Sequence, residues 1–301
     1  MKLTPEKFAQ AEAFIRSHGR ELEQRLFDFH FKGGSVEEVL TALAAYQNED
    51  GGFGHALEPD FRLPASSPMA TSVAFQVMSE VDAAADHPLV QRAIHYLLAT
   101  YNKEGGYWPK TFADVNDYPH APWWHVWADT PPNEEEWPNP TAELTGVLYR
   151  YDTFVPADFL TQLTERAYQN IHHLTSLEDR YSLLCWERAL PDLPILLRTP
   201  AEAKIRQTYT SWYPFNPDKL HELNILAFAP TPDSLLGEMY GDELRPQLDA
   251  LIQSQEEDGG WSPAWAWGQY EDVWPVAQKE WRGRITLENI LTLHHYHRLE
   301  S

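Results

Sequence analysis

Apolar positions recur along this chain at spacings of three and four residues, the period of an amphipathic helix. Val36, Val39, Leu40, Leu43 and Ala44 form one such face. Val90, Ala93, Ile94, Leu97 and Leu98 form a second, and Leu244, Leu248, Leu251 and Ile252 a third. Further helices are expected over 156–174, 178–190, 197–211 and 218–228, a region that Pro191, Pro194, Pro214 and Pro217 break up. No window longer than a few residues alternates apolar and polar as a half-buried strand does. The pattern predicts an all-α protein.

Each of the three helical faces runs into the same short string. Gln47-Asn48-Glu49-Asp50-Gly51-Gly52-Phe53, Tyr101-Asn102-Lys103-Glu104-Gly105-Gly106-Tyr107 and Gln255-Glu256-Glu257-Asp258-Gly259-Gly260-Trp261 align without gaps. They are offset by 54 and then 154 residues, the second offset being three periods of about 51. The glycine pair sits where a helix end wants a left-handed residue, so it reads as a stop and tight turn rather than a phosphate cradle. After each turn a second helix is expected with a Thr near its start: Thr71, Thr141 and Thr286. Asn139 before Pro140 has the form of an N-cap followed by proline at the first helical position.

A Gln, an acidic residue, Gly-Gly and an aromatic ring, closing an amphipathic helix at a period near 50 residues, resemble the QW-type repeat of the terpenoid cyclase and protein prenyltransferase superfamily. The resemblance rests on three of about six units, and Tyr101 stands where the other two strings carry Gln. It implies an α/α toroid of five or six helical hairpins over residues 1–301, with an aromatic-lined central cavity for an isoprenoid-like molecule. The catalytic signatures of that group depart here. The nearest string to the cyclases' Asp-x-Asp-Asp is Asp114-Val115-Asn116-Asp117, with Asn116 in the proton donor's place. The zinc set of the prenyltransferases is not carried over, because no Asp lies two residues before Cys185, although Asp179 and His221 are present. Neither a metal nor a cofactor is therefore expected.

Composition narrows the partners. With 23 basic against 45 acidic residues the chain carries a net charge of −22, which repels nucleic acid and anionic membranes. No stretch approaches the 18 apolar residues of a membrane span, the start MKLTPEKFAQ lacks the features of a signal peptide, and Cys185 is the lone cysteine. These features favour a cytoplasmic protein with a small-molecule ligand, and leave a partner subunit open.

The aromatic excess of 12 Trp, 14 Tyr and 13 Phe marks where that ligand would sit. Residues 107–140 lack helical periodicity and carry Trp108, Trp123, Trp124, His125 and Trp127 among carboxylates including Asp117; the segment reads either as a cavity wall or as a surface loop packed on the helices. Trp265 and Trp267 lie in a second aromatic and acidic loop. The segment His55-Ala56-Leu57-Glu58-Pro59-Asp60 follows the first turn. Glu58 and Asp60 could divide the acid and base roles if their environments differ, or else cap a helix or face solvent. Glu143 stands one turn into the helix after Asn139. Two chemistries fit such rings and carboxylates: acid-initiated cyclisation or isomerisation of an isoprenoid, and acid–base cleavage of a neutral sugar. A binding module without chemistry is the third.

Overall fold

The computed structural model describes residues 1–127, 131–212 and 224–300. These form twelve α-helices: α1 (Pro5–His18), α2 (Glu21–Phe31), α3 (Val36–Ala44), α4 (Pro68–Glu80), α5 (Pro88–Thr100) and α6 (Pro138–Arg150), followed by α7 (Ala157–His173), α8 (Arg180–Ala189), α9 (Ile195–Trp212), α10 (Leu235–Tyr240), α11 (Arg245–Gln253) and α12 (Trp274–His295). Among the described residues there is no strand, only isolated bridges. The fold is all-α. The chain divides into two compact units, Leu40–Thr208 and the two ends Met1–Val39 with Tyr209–Ser301.

Within 40–208, α4 and α6 are buried on nearly every side, as helices with apolar residues all round must be. Ser67 caps α4, accepting the Ala70 N–H at 3.0 Å, with Pro68 at the first helical position. Helix α8 lies close against α6 because Gly146 has no side chain: a Cβ there would stand 2.7 Å from the Ala189 Cα. In the other unit α1 and α2 pack with α12, and Leu3, Leu248, Ile252 and Leu293 join in one apolar cluster. Leu3 donates to the Arg298 carbonyl at 2.7 Å and accepts from the Glu300 N–H at 3.0 Å, so the two ends of the chain are tied together.

The repeated strings build one device. In the first, the Gln47 amide donates to the Gly51 carbonyl (3.0 Å) and to the Leu89 carbonyl at the start of α5 (2.9 Å). In the third, Gln255 donates to the Gly259 carbonyl and to the Lys7 carbonyl at the start of α1, both at 2.9 Å. The first and third turns thus close on themselves, and each grips a helix other than the one that directly follows it. For the third turn that helix is the first of the chain, within the same unit.

The aromatic residue that ends each string is held through its backbone. The N–H groups of Phe53, Trp108 and Trp261 donate to the hydroxyls of Thr71, Thr141 and Thr286, each at 3.1 Å. The second string is therefore one residue out of the gapless alignment. Its equivalent ring is Trp108, not Tyr107, and its left-handed glycine is the second of the pair, Gly106 at φ +71°, whereas Gly51 and Gly259 are the first of theirs, both at φ +90°. An extra residue in that turn accounts for the shift, since Asn102 N–H reaches the Tyr107 carbonyl while Asn48 N–H reaches that of Gly52.

Three local expectations need correction. Thr286 lies in the middle of the 22-residue α12 rather than at a helix start, because helical periodicity continues back to Trp274. Asn139 has the non-helical backbone of a cap, yet its Oδ1 faces the Cys185 thiol at 3.8 Å instead of a helix N–H. Over 218–228, residues 218–223 lie outside the described residues and the remainder holds a single 3-10 turn at Ile225–Ala227. The helices expected over 156–174, 178–190 and 197–211 are present as α7, α8 and α9.

All three threonines are fully buried. Replacing any one by Val keeps the shape and leaves a buried backbone N–H without an acceptor, at about 1–3 kcal/mol. Thr71→Val, Thr141→Val and Thr286→Val are accordingly expected to cost similar amounts in urea unfolding. Costs below the scatter of surface substitutions would show that these bonds do not brace the turns.

Candidate functional site

The site begins where the first turn releases the chain. Gly54 packs against the returning strand of its own loop, where a Cβ would meet the Ala65 carbonyl at 2.3 Å. His55 and Ala56 follow at φ +54° and +58°, two successive residues with side chains in the left-handed region. Such a pair is costly for residues bearing a Cβ and marks a backbone that the surroundings over-determine. His55 is held by a 2.8 Å bond between its Nε2 and Asn48 Oδ1. From Ala56 to Phe61 the loop is buried, including Glu58 (8% exposed) and Asp60 (4%). A loop that carries two carboxylates into the interior departs from the rule that connections run over the surface.

The second loop meets the first along its backbone. Ala121 N–H donates to the Asp60 carbonyl at 2.7 Å and Arg62 N–H to the Pro119 carbonyl at 2.8 Å, which sets Phe61 opposite His120 in an antiparallel bridge. Pro119 and Pro122 hold the backbone around His120 extended, as residues flanked by proline are. Asn116 then fixes the loop's return: its side chain donates to the Val126 carbonyl (2.7 Å) and accepts the Val126 N–H (2.9 Å). Two short 3-10 turns, Ala113–Asp117 and Pro122–Trp124, shape the rest.

This pairing gathers one group of chemically able side chains. His120 is buried, donates from Nδ1 to the Tyr118 carbonyl at 2.6 Å, and sets its Nε2 3.1 Å from His125 Nδ1. The Trp127 ring lies 4.2 Å from that of His125, and Trp124 meets Phe61 edge-on at 5.1 Å. Among the described residues the buried Trp124 indole N–H has no hydrogen-bond partner. Trp123 and Trp127 are exposed, the latter by 87%. Sequence reasoning placed His55, Glu58 and Asp60 in one candidate segment and Trp123, Trp124, His125 and Trp127 in another; the two segments pair along their backbones, and Trp124 meets Phe61 across the pairing. His120 belongs to the same aromatic segment 107–140 but is not among the site residues chosen from sequence; its further signal is its position between Pro119 and Pro122.

The other expected site residues go elsewhere. Trp108 is a core residue, 1% exposed, with its indole N–H on the Leu97 carbonyl at 2.8 Å. Asp117 ends its 3-10 turn exposed to solvent, and Asn116 of the same string serves as the loop clamp. Glu143 is buried between helices, accepting from Gln76 on α4 at 2.7 Å and from Arg188 on α8 at 3.3 Å, with the Cys185 thiol 3.7 Å away. None of these partners belongs to the two loops. Burial, reinforced by the Glu143 charge, pushes the Cys185 thiol well above its usual range, which rules it out as a ready thiolate. Trp267 (2% exposed) packs on Trp274, and Trp265 stands edge-on to Trp281, both in the unit formed by the chain's ends.

Asp179 of the unmatched zinc set caps α8, accepting the Ser182 N–H at 2.7 Å, and His221 lies outside the described residues. Among the described residues no three His, Cys, Asp or Glu side chains are grouped to hold a metal ion, and no helix is long and apolar enough to cross a membrane. Comparison with protein-family models, with curated proteins and with solved structures found no match to this chain.

Proposed function

We propose that this chain is an acid–base enzyme built on terpenoid-cyclase-like helical repeats, and that its chemistry takes place where loop 55–62 meets loop 114–127. The observation that carries this reading is the backbone pairing of the two loops, which stands Phe61 opposite His120, with buried Asp60 the residue before Phe61 and His125 Nδ1 3.1 Å from His120 Nε2. A carboxyl group and an imidazole carried on two paired loops can give a proton at one end of a substrate and take one at the other, the minimum for an isomerisation or cyclisation. The bracing of the first and third turns by Gln, and of all three by Thr, supports the kinship with the cyclase repeat. In this reading Asp60, with Glu58 next to it in the loop, supplies the acid. The rings of Phe61, Trp124 and Trp127 supply an apolar surface that also stabilises positive charge in a substrate.

The strongly negative chain favours a neutral substrate over a diphosphate. An isoprenoid hydrocarbon or alcohol is the first class. Exposed indole faces at Trp123 and Trp127 favour one rival, a neutral saccharide stacked on them and cleaved by the same groups.

The purified protein incubated with squalene, farnesol, maltotetraose and cellotetraose separates these readings. Thermal stabilisation and a new product with an isoprenoid are expected; products from an oligosaccharide alone would move the assignment to carbohydrate cleavage. Neither stabilisation nor turnover with any of the four would overturn the enzymatic reading and leave a module without chemistry.

A further inference from the structure

The two imidazoles of the paired loops are joined in a way that leaves each ring one arrangement of its proton. The Tyr118 carbonyl can only accept, so the 2.6 Å contact requires a hydrogen on His120 Nδ1. A neutral imidazole carries one such hydrogen, and His120 Nε2 is therefore a lone pair. Facing it at 3.1 Å is His125 Nδ1. Two lone pairs at that distance repel, and a hydrogen on His125 Nδ1 turns the contact into a bond. The remaining nitrogen of His125, Nε2, is then left unprotonated on the side of the ring away from His120.

We propose that His125 is the catalytic base of this site, accepting a substrate proton at Nε2, and that His120 is a positioning residue that holds it in the Nδ1–H form. The proposal rests on the reading of the two loops as an acid–base site and names the group that takes the proton. The rings are placed for it: they are inclined by only 26°, with centroids 5.3 Å apart, so the nitrogens meet edge to edge. His125 is bracketed by the Asn116 clamp on Val126 and by the Trp127 ring.

The chemistry gains from the same arrangement. When Nε2 takes a proton, His125 becomes an imidazolium whose Nδ1–H points at the His120 lone pair, and a neutral hydrogen bond becomes a charge-assisted one. Such a bond is roughly twice as strong as its neutral counterpart, so the partner favours the protonated product of the transfer over the resting base. His120 in turn is kept in register by a backbone carbonyl, the kind of second partner that commonly fixes a functional histidine.

The test reads the ring nitrogens directly. Long-range proton–nitrogen correlation spectra of the ¹⁵N-histidine-labelled protein, recorded above the titration of both rings, distinguish a protonated ring nitrogen from a bare one. Both His120 and His125 are expected as Nδ1–H, His125 with an excess of several-fold over Nε2–H, which is what one neutral hydrogen bond supplies. His120→Phe keeps a flat ring without an acceptor and is expected to remove that excess. His120→Gln, whose Oε1 accepts, is expected to restore it. A wild-type His125 found as Nε2–H overturns the proposal without any variant having to fold, and so does an Nδ1–H form that persists unchanged in His120→Phe. Because the spectra need no substrate, failure here is distinct from failure of the acid–base reading, which shows only in the turnover screen.

Discussion

Gly51→Ala is expected to destabilise the protein by about 3–5 kcal/mol, and Gly259→Ala by a similar amount. Two effects combine at each. The backbone sits at φ +90°, where a side chain is strained, and the missing Cβ would fall on the backbone of a packed helix, α5 or α1: 2.3 Å from the Arg92 carbonyl oxygen for Gly51, and 2.5 Å from the carbonyl carbon and oxygen of Gln10 for Gly259. Backbone cannot rotate aside as the end of a flexible side chain can. Gly33 and Gly268 provide the control, with φ +73° and +66° but nothing within 4 Å of an added Cβ. Their replacement by Ala carries the conformational strain alone, about 1 kcal/mol.

The measurement is the urea midpoint of all four variants, with amide exchange to locate the damage. Protection is expected to fall first at the start of α5 in Gly51→Ala and at the start of α1 in Gly259→Ala. Equal costs for the braced and the open glycines would mean that close packing against α5 and α1 contributes nothing. The turns would then be ordinary helix stops.

The sequence carries this device in part. Helical periodicity exposes the faces before each turn, because period 3.6 is written in the side chains themselves. The glycine pair exposes the turns. The register of the second turn is not visible, since an extra residue inside a Gly-rich string leaves a gapless match that looks better than the true one. Trp108 shows the consequence: the shift makes it the structural counterpart of Phe53 and Trp261, so its ring belongs to the core and not to a ligand surface. Thr286 shows another limit. Its bond to Trp261 resembles those of Thr71 and Thr141, yet no local signal tells a threonine in mid-helix from one near a helix start.

The candidate site was legible as two segments and illegible as one place. Nothing local to His55–Asp60 says that its strand will lie against residues 118–121, some 60 positions on, because backbone pairing between irregular loops leaves no periodicity. Composition still pointed there. Rings and carboxylates concentrated in a proline-rich stretch are a poor recipe for a surface loop, and burial of Glu58 and Asp60 goes further than capping alone requires. Glu143 illustrates the reverse. Its place one turn into a helix gives no sign of its partners, whereas the structure gives it side-chain partners on two neighbouring helices and a role in packing α4, α6 and α8.

Asp60→Asn is expected to lower turnover by about 10²–10⁴-fold, the usual contribution of a positioned general acid or base. The change keeps the size of the side chain and removes its ability to give up and recover a proton. Glu58→Gln distinguishes the two neighbours: the carboxylate that donates shows the full loss, and the one that only supports it a smaller one. Asp117→Asn is the contrast, because that carboxylate is exposed and water competes for any proton it would transfer. It is expected to change turnover by no more than about twofold, within the range of surface substitutions. Thermal midpoints measured alongside separate lost chemistry from lost folding, since a variant that melts near wild type and has lost turnover has lost only the proton transfer. Should Asp60→Asn and Glu58→Gln both fold and both retain turnover, the acid lies outside this loop pair. The buried carboxylates would then belong to the architecture of the first loop rather than to its chemistry.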